Sequence, residues 1–309
     1  MSGERNLWSR RLAVDLRAAL VLVALLACVP LFVSSPYWLG VLIVSVYFAL
    51  LALGWNLLAG FTGQFSLAPA AFAMLGAYAT ALLDYHLKAP LAIGIPAAIV
   101  ATALLGFLLG RIVLRLKGPY LALTTLSFAE IARVVVYNSY NFTRGDQGLN
   151  VPALMDSRVG YYYLFLAVLV ATLGGLYLLM RGKAGRFWLA IRDDETGAES
   201  RGIPVVRYKT IAFALSCAIC GVAGSLYGTF SQLVSPELGL LQQTGLVIAM
   251  VVIGGMGTLT GPLVGALLVY LASEWLRGFG GIQLIVFSAA VIVVARFFRA
   301  GLWGLAVRR

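Results

Sequence analysis

The sequence has 309 residues, 61% of them hydrophobic and 11% charged, with mean hydropathy +0.94 and a formal net charge of +11. These values exclude an ordinary water-soluble domain and indicate an integral membrane protein. The single histidine, His86, excludes a multi-histidine metal site, and the basic excess sits beside apolar runs, where anionic lipid rather than nucleic acid is the natural counter-surface.

Apolar stretches of membrane length predict helical spans near residues 17–34, 38–60, 65–83, 90–114, 119–137, 161–180, 210–230 and 281–298. They are too long and too evenly apolar for the alternating strands of an outer-membrane barrel. The expected fold class is therefore all-α, a polytopic transmembrane helical bundle of about eight full spans plus a broken helical hairpin near residues 244–273, forming one transmembrane domain over residues 1–309. The first run follows arginines but is long and has no A-x-A cleavage pattern, so it reads as a retained span.

Span two ends in GWNLLAGFTGQFSLAPAAF, where Asn56, Thr62, Gln64 and Ser66 cluster around Gly60 and Gly63, with Pro69 a turn beyond. A helix that breaks and restarts at membrane depth frees backbone groups to line a cavity, which makes Asn56, Thr62, Gly63, Gln64 and Ser66 candidates for a translocation path. The alternative is a short cytoplasmic turn capped by Ser66. Span five, PYLALTTLSFAEIARVVVYN, adds Thr124, Thr125, Glu130 and Arg133 as candidates. Glu130 and Arg133, spaced i,i+3, are expected to pair, either as a structural ion pair or along the path.

Residues 181–209, RGKAGRFWLAIRDDETGAESRGIPVVRYK, are the one long charge-dense segment. Asp193 as N-cap, Asp194 and Glu195 in the first turn, and Gly202 before Pro204 predict a helix near 194–201. A helix that short is unstable alone in water, which suggests docking into a partner; a solvated connecting loop is the alternative. Farther on, residues 244–273 form either one long helix or two pieces of about 12 residues hinged at Gly254 to Pro262.

Of the 23 Lys and Arg, eighteen lie in four clusters: Arg5, Arg10, Arg11 and Arg17; Arg111, Arg115 and Lys117; seven in 181–209; and Arg296, Arg299, Arg308 and Arg309. The positive-inside rule puts all four in the cytoplasm, with both termini, only if 244–273 is a broken hairpin. Four G-x-x-x-G pairs, Gly106/Gly110, Gly224/Gly228, Gly257/Gly261 and Gly261/Gly265, predict close helix packing within the chain. Cys28, Cys217 and Cys220 fall in apolar runs and read as packing residues.

No Ser/His/Asp set or H-E-x-x-H appears, so the chain is not read as an enzyme and no cofactor is expected. Without G-x-x-x-x-G-K-[ST], an ATP-driven role requires a separate ATPase. A stand-alone secondary carrier or channel is the competing class, though Glu130 is the only carboxylate suited to proton coupling.

GWNLLAGFTGQFSLAPAAF, GPYLALTTLSFAEIARVV, Thr143 to Leu149, GRFWLAIRDDETGAESRGIPVVRYK, and SPE followed by VVIGGMGTLTGPLVGA occur in the order seen in branched-chain amino-acid ABC importer permeases. Over residues 38–304 the chain resembles the LivM-like half of that family. The resemblance implies a bacterial inner-membrane importer of branched-chain or other hydrophobic amino acids. Its implied partners are a second, LivH-like permease subunit, two ATP-binding subunits and a periplasmic solute-binding protein. It also implies that Asp193, Asp194, Glu195, Glu199 and Gly202 form the ATPase-coupling segment. Where the family reads S-L-G-H-A-A-F, this chain has Ser66-Leu67-Ala68-Pro69-Ala70-Ala71-Phe72, and its tail RFFRAGLWG lacks the family's proline.

Overall fold

A computed structural model describes residues 2–32, 35–116, 118–277 and 301–303, with side chains from Leu12 onward. In chain order the helices are α1 (Ser2–Phe32), α2 (Pro36–Asn56), which runs into a π-turn at Leu57–Phe61, α3 (Pro69–Leu87), α4 (Leu91–Val113), α5 (Pro119–Asn138) and a single turn, α6 (Tyr140–Thr143). A two-residue strand β1 (Leu149–Asn150) precedes α7 (Arg158–Arg181), α8 (Lys183–Asp193), α9 (Glu195–Ser200) and α10 (Val205–Ser231); β2 (Leu233–Val234), α11 (Leu241–Gly254) and α12 (Thr260–Leu276) follow.

Among the described residues, six helices are long and apolar enough to cross a membrane: Leu12–Phe32 of α1, α2 with its π-turn, α4, α5, α7 and α10. The all-helical membrane architecture is thus as the sequence implied, with a lower count of full spans. The span expected at 65–83 forms as α3, which is not among the six because Asp84 and His86 occupy its last turn. Protein covers most of α3, with Ala70, Ala71, Ala73, Gly76 and Ala77 buried, so it gains packing rather than lipid contact. The span expected at 281–298, Lys117 and Arg296, Arg299, Arg308 and Arg309 lie outside the described residues.

The chain divides into two interleaved compact units. One takes residues up to Asn56, Ser157–Arg186 and those from Ile248 onward. Here α2 is the central helix, buried along almost its whole length, with α7 and α12 packed on it. The hairpin at 244–273 is broken as expected, into helices of 14 and 17 residues. Its hinge uses Gly255 at φ +131° and Gly257 at φ +77°, conformations that side-chain-bearing residues rarely adopt. The two arms meet backbone to backbone: a Cβ on Gly265 would lie 1.8 Å from the Met250 carbonyl oxygen.

Two buried polar side chains hold that hinge. Asn56 donates to the Thr258 carbonyl (2.7 Å) and accepts from the Gly257 N–H (2.8 Å). Asp15 of α1 accepts from the N–H groups of Leu259 and Thr260 and from the Trp303 indole (2.8 Å), while Thr260 Oγ1 donates to the Asp15 carbonyl (2.7 Å). Asp15 therefore serves as the side-chain cap for the start of α12, whose own N-cap position is Leu259.

The other unit, Leu57–Asp156 with Phe187–Val247, is built on α10, which packs along both α3 and α4. The expected intrachain use of the glycines is observed: a Cβ on Gly106 would meet Cys217 Sγ at 2.6 Å, and one on Gly224 the Ala73 carbonyl at 1.9 Å. Cys217 and Cys220 are free and buried, in keeping with packing roles. Thr143 donates to the Val136 carbonyl (2.6 Å), and β1 pairs antiparallel with β2, Leu149 opposite Val234.

Candidate functional site

The charged segment 181–209 folds into two helices rather than one. α8 places Trp188, fully buried, so that its indole donates to the Tyr208 carbonyl at 3.0 Å. α9 is the expected short helix, but its cap is Asp194, not Asp193. Asp194 is extended (φ −156°, ψ 103°) and accepts from Gly197 N–H at 3.0 Å, whereas Asp193 is the last residue of α8 and accepts from the Arg192 guanidinium. A cap needs non-helical backbone, and continuation of α8 through Asp193 moves that position one residue on. Gly202, at φ +79°, ends α9 with a Gly202 N–H to Glu199 carbonyl bond and an Ile203 N–H to Ala198 carbonyl bond. This pair of bonds is the Schellman stop.

Shortness does not by itself require a partner here. Ile191, Ala198 and Val205 form a small apolar cluster with Ile203 and Tyr208, so α9 is stabilised within its own chain. The Asp193, Asp194, Glu199, Arg201 and Gly202 surface remains exposed.

Two polar links tie this segment to its unit. The Arg192 guanidinium donates to the Gly60 carbonyl at 3.0 Å, satisfying an acceptor freed where the π-turn ends. Gly63 (φ +70°) makes the close approach possible, since a Cβ there would sit 3.3 Å from Arg192 Cα. Lys209 Nζ donates to Glu195 Oε2 at 2.6 Å, with the lysine side chain only 6% exposed. Removing the first link by Arg192→Ala is expected to lower thermal stability by about 1.5–3 kcal/mol, the range for a hydrogen bond to a charged group. Arg192→Lys should recover part of it, read as the midpoint of heat-induced loss of monodisperse protein.

The helix break after α2 falls where the sequence placed it. Its freed donors are largely taken up inside the protein: Thr62 N–H, Thr62 Oγ1 and Gln64 N–H all donate to the Leu58 carbonyl. Leu67 N–H donates to Thr125 Oγ1 (3.0 Å), and Ala68 N–H to Ser66 Oγ (3.3 Å). Beside the break lies a cleft of about 370 Å³ walled by Gly63, Gln64 and Phe65, by Leu116 and the first turns of α5, and by Glu195 and Lys209. Gln64 is 1% exposed, and neither atom of its amide has a hydrogen-bond partner.

Of the path candidates, Gly63 and Gln64 wall this cleft, and Thr125 accepts from Leu67 N–H. Thr62 and Ser66 are spent on local backbone bonds, and Asn56 on the hinge. Thr124 bonds the Tyr120 carbonyl, and Glu130 pairs with Arg133 as expected, on an exposed face of α5 away from the cleft walls. In the sequence, Arg192, Lys209 and Trp188 are only members of the charge-dense segment 181–209. Their roles arise from contacts that no local pattern encodes.

Residues 37–298 match the family model described as branched-chain amino acid transport system / permease component. The chain belongs to this permease family. It is 31% identical to the high-affinity branched-chain amino acid transport system permease protein LivM of Salmonella typhimurium over 81% of this chain and 66% of the relative. It is 30% identical to the LivM protein of Escherichia coli K12, over 89% of this chain and 72% of the relative. The permease is also 25% identical to the LivH protein of Escherichia coli K12, over 75% of this chain and 82% of the relative. No solved structure matches this permease.

Proposed function

We propose that this chain is the permease subunit of an ATP-driven importer that carries branched-chain or other hydrophobic amino acids across the bacterial inner membrane. It works with a second, LivH-like permease, two ATP-binding subunits and a periplasmic solute-binding protein. Similarity to LivM over most of the chain is the observation that carries this reading. Similarity of the same chain to LivH supports a paired permease of related fold.

The geometry supports a lever at α8 and α9, facing the cytoplasm with the basic clusters. Asp193, Asp194, Glu195, Glu199 and Gly202 form the coupling segment. Its exposed acidic residues suit a basic groove on an ATPase, and Arg192 and Lys209 tie it to the break after α2 and to α10. Closure of the ATPases displaces the lever, and the links carry that displacement to the helices that open on either side in turn. Near the break, Gly63 and Gln64, which wall the cleft, are the candidates for the path.

The test is leucine uptake into proteoliposomes holding the two permeases and their ATPases, driven by ATP and the binding protein. Asp194→Lys combined with Glu199→Lys reverses two exposed charges and is expected to reduce ATP-dependent uptake by at least about tenfold, since like-charge juxtaposition costs several kcal/mol at an interface. Uptake that persists without the ATPases overturns the proposal.

A further inference from the structure

We propose that the apolar cleft bounded by α3, α4, the last turn of α5 and α6 is a lipid site: it takes one acyl chain of a phospholipid whose headgroup, carrying net negative charge, rests on Lys88 and Arg144. None of its wall residues is a path or coupling candidate, and the site stands whether or not the transport reading above does.

The cleft has a volume of about 290 Å³. Leu75 and Leu82 of α3, Ala101 and Leu105 of α4, Val135 of α5 and Phe142 of α6 wall it, and Leu105, Val135 and Phe142 are exposed, so it opens to the outside of the bundle. Because α4 and α5 are long and apolar enough to span, that opening lies against hydrocarbon. The wall hydroxyls of Thr102, Ser139 and Thr143 donate to the carbonyls of Ala98, Val135 and Val136. That of Tyr78 is buried without a partner, so hydrocarbon in the cleft breaks no bond there. An apolar cavity of about 150 Å³, half this size, stays dry and binds benzene.

The dimensions suit a chain rather than a helix. Along α3 the cleft reaches from the level of His86, whose ring stacks on Phe142 at 5.0 Å, down to Leu75. That is eleven residues, about 16 Å at 1.5 Å each, and close to half of the roughly 30 Å hydrocarbon core, which is the depth of one leaflet. A single turn of a partner helix, about 10 Å across and 5.4 Å in pitch, already occupies about 400 Å³.

The rim supplies the charge. Lys88 Nζ and Arg144 Cζ stand 5.8 and 5.6 Å from the centroid of the same ring, that of Tyr85, and His86 beside it bonds the Phe142 carbonyl at 3.2 Å. Outside the four basic clusters the chain has only five Lys and Arg. Arg133 and Arg277 pair with Glu130 and Glu274, and Arg158 donates to the Pro36 carbonyl. Lys88 and Arg144 are the remaining two; both are exposed, and neither takes part in the ion pairs among the described residues. Two cations gathered at one ring repel each other, and a phosphate between them offsets that repulsion while meeting the arginine fork.

Native mass spectrometry of the full chain in nonionic detergent, titrated with phosphatidylglycerol or phosphatidylcholine, tests the site. Phosphatidylglycerol is expected to bind saturably and at least about tenfold more tightly, as two cations acting on one anionic headgroup require. Lys88→Asn with Arg144→Asn removes both charges and keeps a residue type that tolerates the left-handed backbone found there, at φ 51° and 60°. It should lower phosphatidylglycerol to the phosphatidylcholine level and leave phosphatidylcholine unchanged, a loss of preference that misfolding cannot imitate. The exchange Lys88→Arg with Arg144→Lys should keep the preference. Ala101→Phe fills the cleft and should weaken both lipids about tenfold. Glycerol 1-phosphate in large excess, which has the charge without the chain, should not displace the lipid. Equal binding of the two lipids, an unchanged preference in the double Asn variant, unaltered binding in Ala101→Phe or displacement by glycerol 1-phosphate overturns the proposal. So does loss of the bound lipid when a second permease subunit is co-purified, which assigns the cleft to protein.

Discussion

Asp15→Ala is expected to destabilise the protein by about 3–5 kcal/mol. The carboxylate accepts from the backbone of Leu259 and Thr260 and from the Trp303 indole. Leu259 and Thr260 are 0% and 1% exposed, so water cannot replace what is lost. Each buried donor left without a partner costs about 1–3 kcal/mol. The same change removes the cap of α12, so the hinge loses one of its side-chain supports, while those from Asn56 and Thr258 remain. Asp15→Asn keeps the shape but turns an amide with only one accepting oxygen toward three donors, and an intermediate loss is expected. Heating followed by fluorescence-detected gel filtration measures both. A midpoint for Asp15→Ala within roughly 1 °C of the parent would contradict the capping role, since even 1 kcal/mol shifts the midpoint by about 2–4 °C in a domain of moderate size.

Gly224→Ala should be worse tolerated than its size suggests. The added methyl would lie 1.9 Å from the Ala73 carbonyl oxygen and 2.5 Å from its carbon, both backbone atoms of α3. Backbone cannot rotate away as a side chain does, so α3 and α10 have to separate. That separation also stretches the Ser225 Oγ bond to the Gly76 carbonyl, now 3.0 Å. Overpacking costs about 1–3 kcal/mol and occasionally more, and with backbone as the obstacle the upper end applies; the expected outcome is loss of most monodisperse protein on extraction. Gly174→Ala and Gly175→Ala are the controls. Nothing lies within 4 Å of a Cβ at either position in α7, so they should be neutral or stabilising by up to about 1 kcal/mol, from the helix preference of alanine over glycine. Equal behaviour of Gly224→Ala and Gly174→Ala would contradict the close α3–α10 approach.

These two cases mark where local sequence stops being informative. Gly224 and Gly174 sit in helices of similar composition, and only the neighbour in space distinguishes them. Asp15 reads as a polar residue shortly after the arginines of the first run; that it reaches residues more than 240 positions away depends on how α1 meets the hinge. The helix break after α2 was legible because Gly60, Gly63 and Pro69 act through their own backbone, and the hinge at 255–259 was legible for the same reason. The cap of α9 was missed by one residue. Whether Asp193 ends one helix or starts the next depends on how far α8 propagates, and Trp188, buried under Tyr208, anchors it.

The sequence alone determined the solvent and the kind of element, because hydrocarbon leaves every backbone polar group to be satisfied within a helix, and runs of about 20 apolar residues meet that demand. It also marked the break after α2 and the hinge before α12, where Gly63, Gly255 and Gly257 take positive φ, although Pro30 and Pro96 lie inside α1 and α4 without ending them. Only the tertiary structure decided that α3 is a protein-covered helix, that Glu130 and Arg133 pair away from the cleft, and that Gln64 lies buried with its amide unmet beside Lys209 and Glu195. Those are matters of which surfaces meet, and in a bundle whose spans are nearly all apolar, the choice of neighbour is made by steric fit and a few buried hydrogen bonds among residues far apart in the chain.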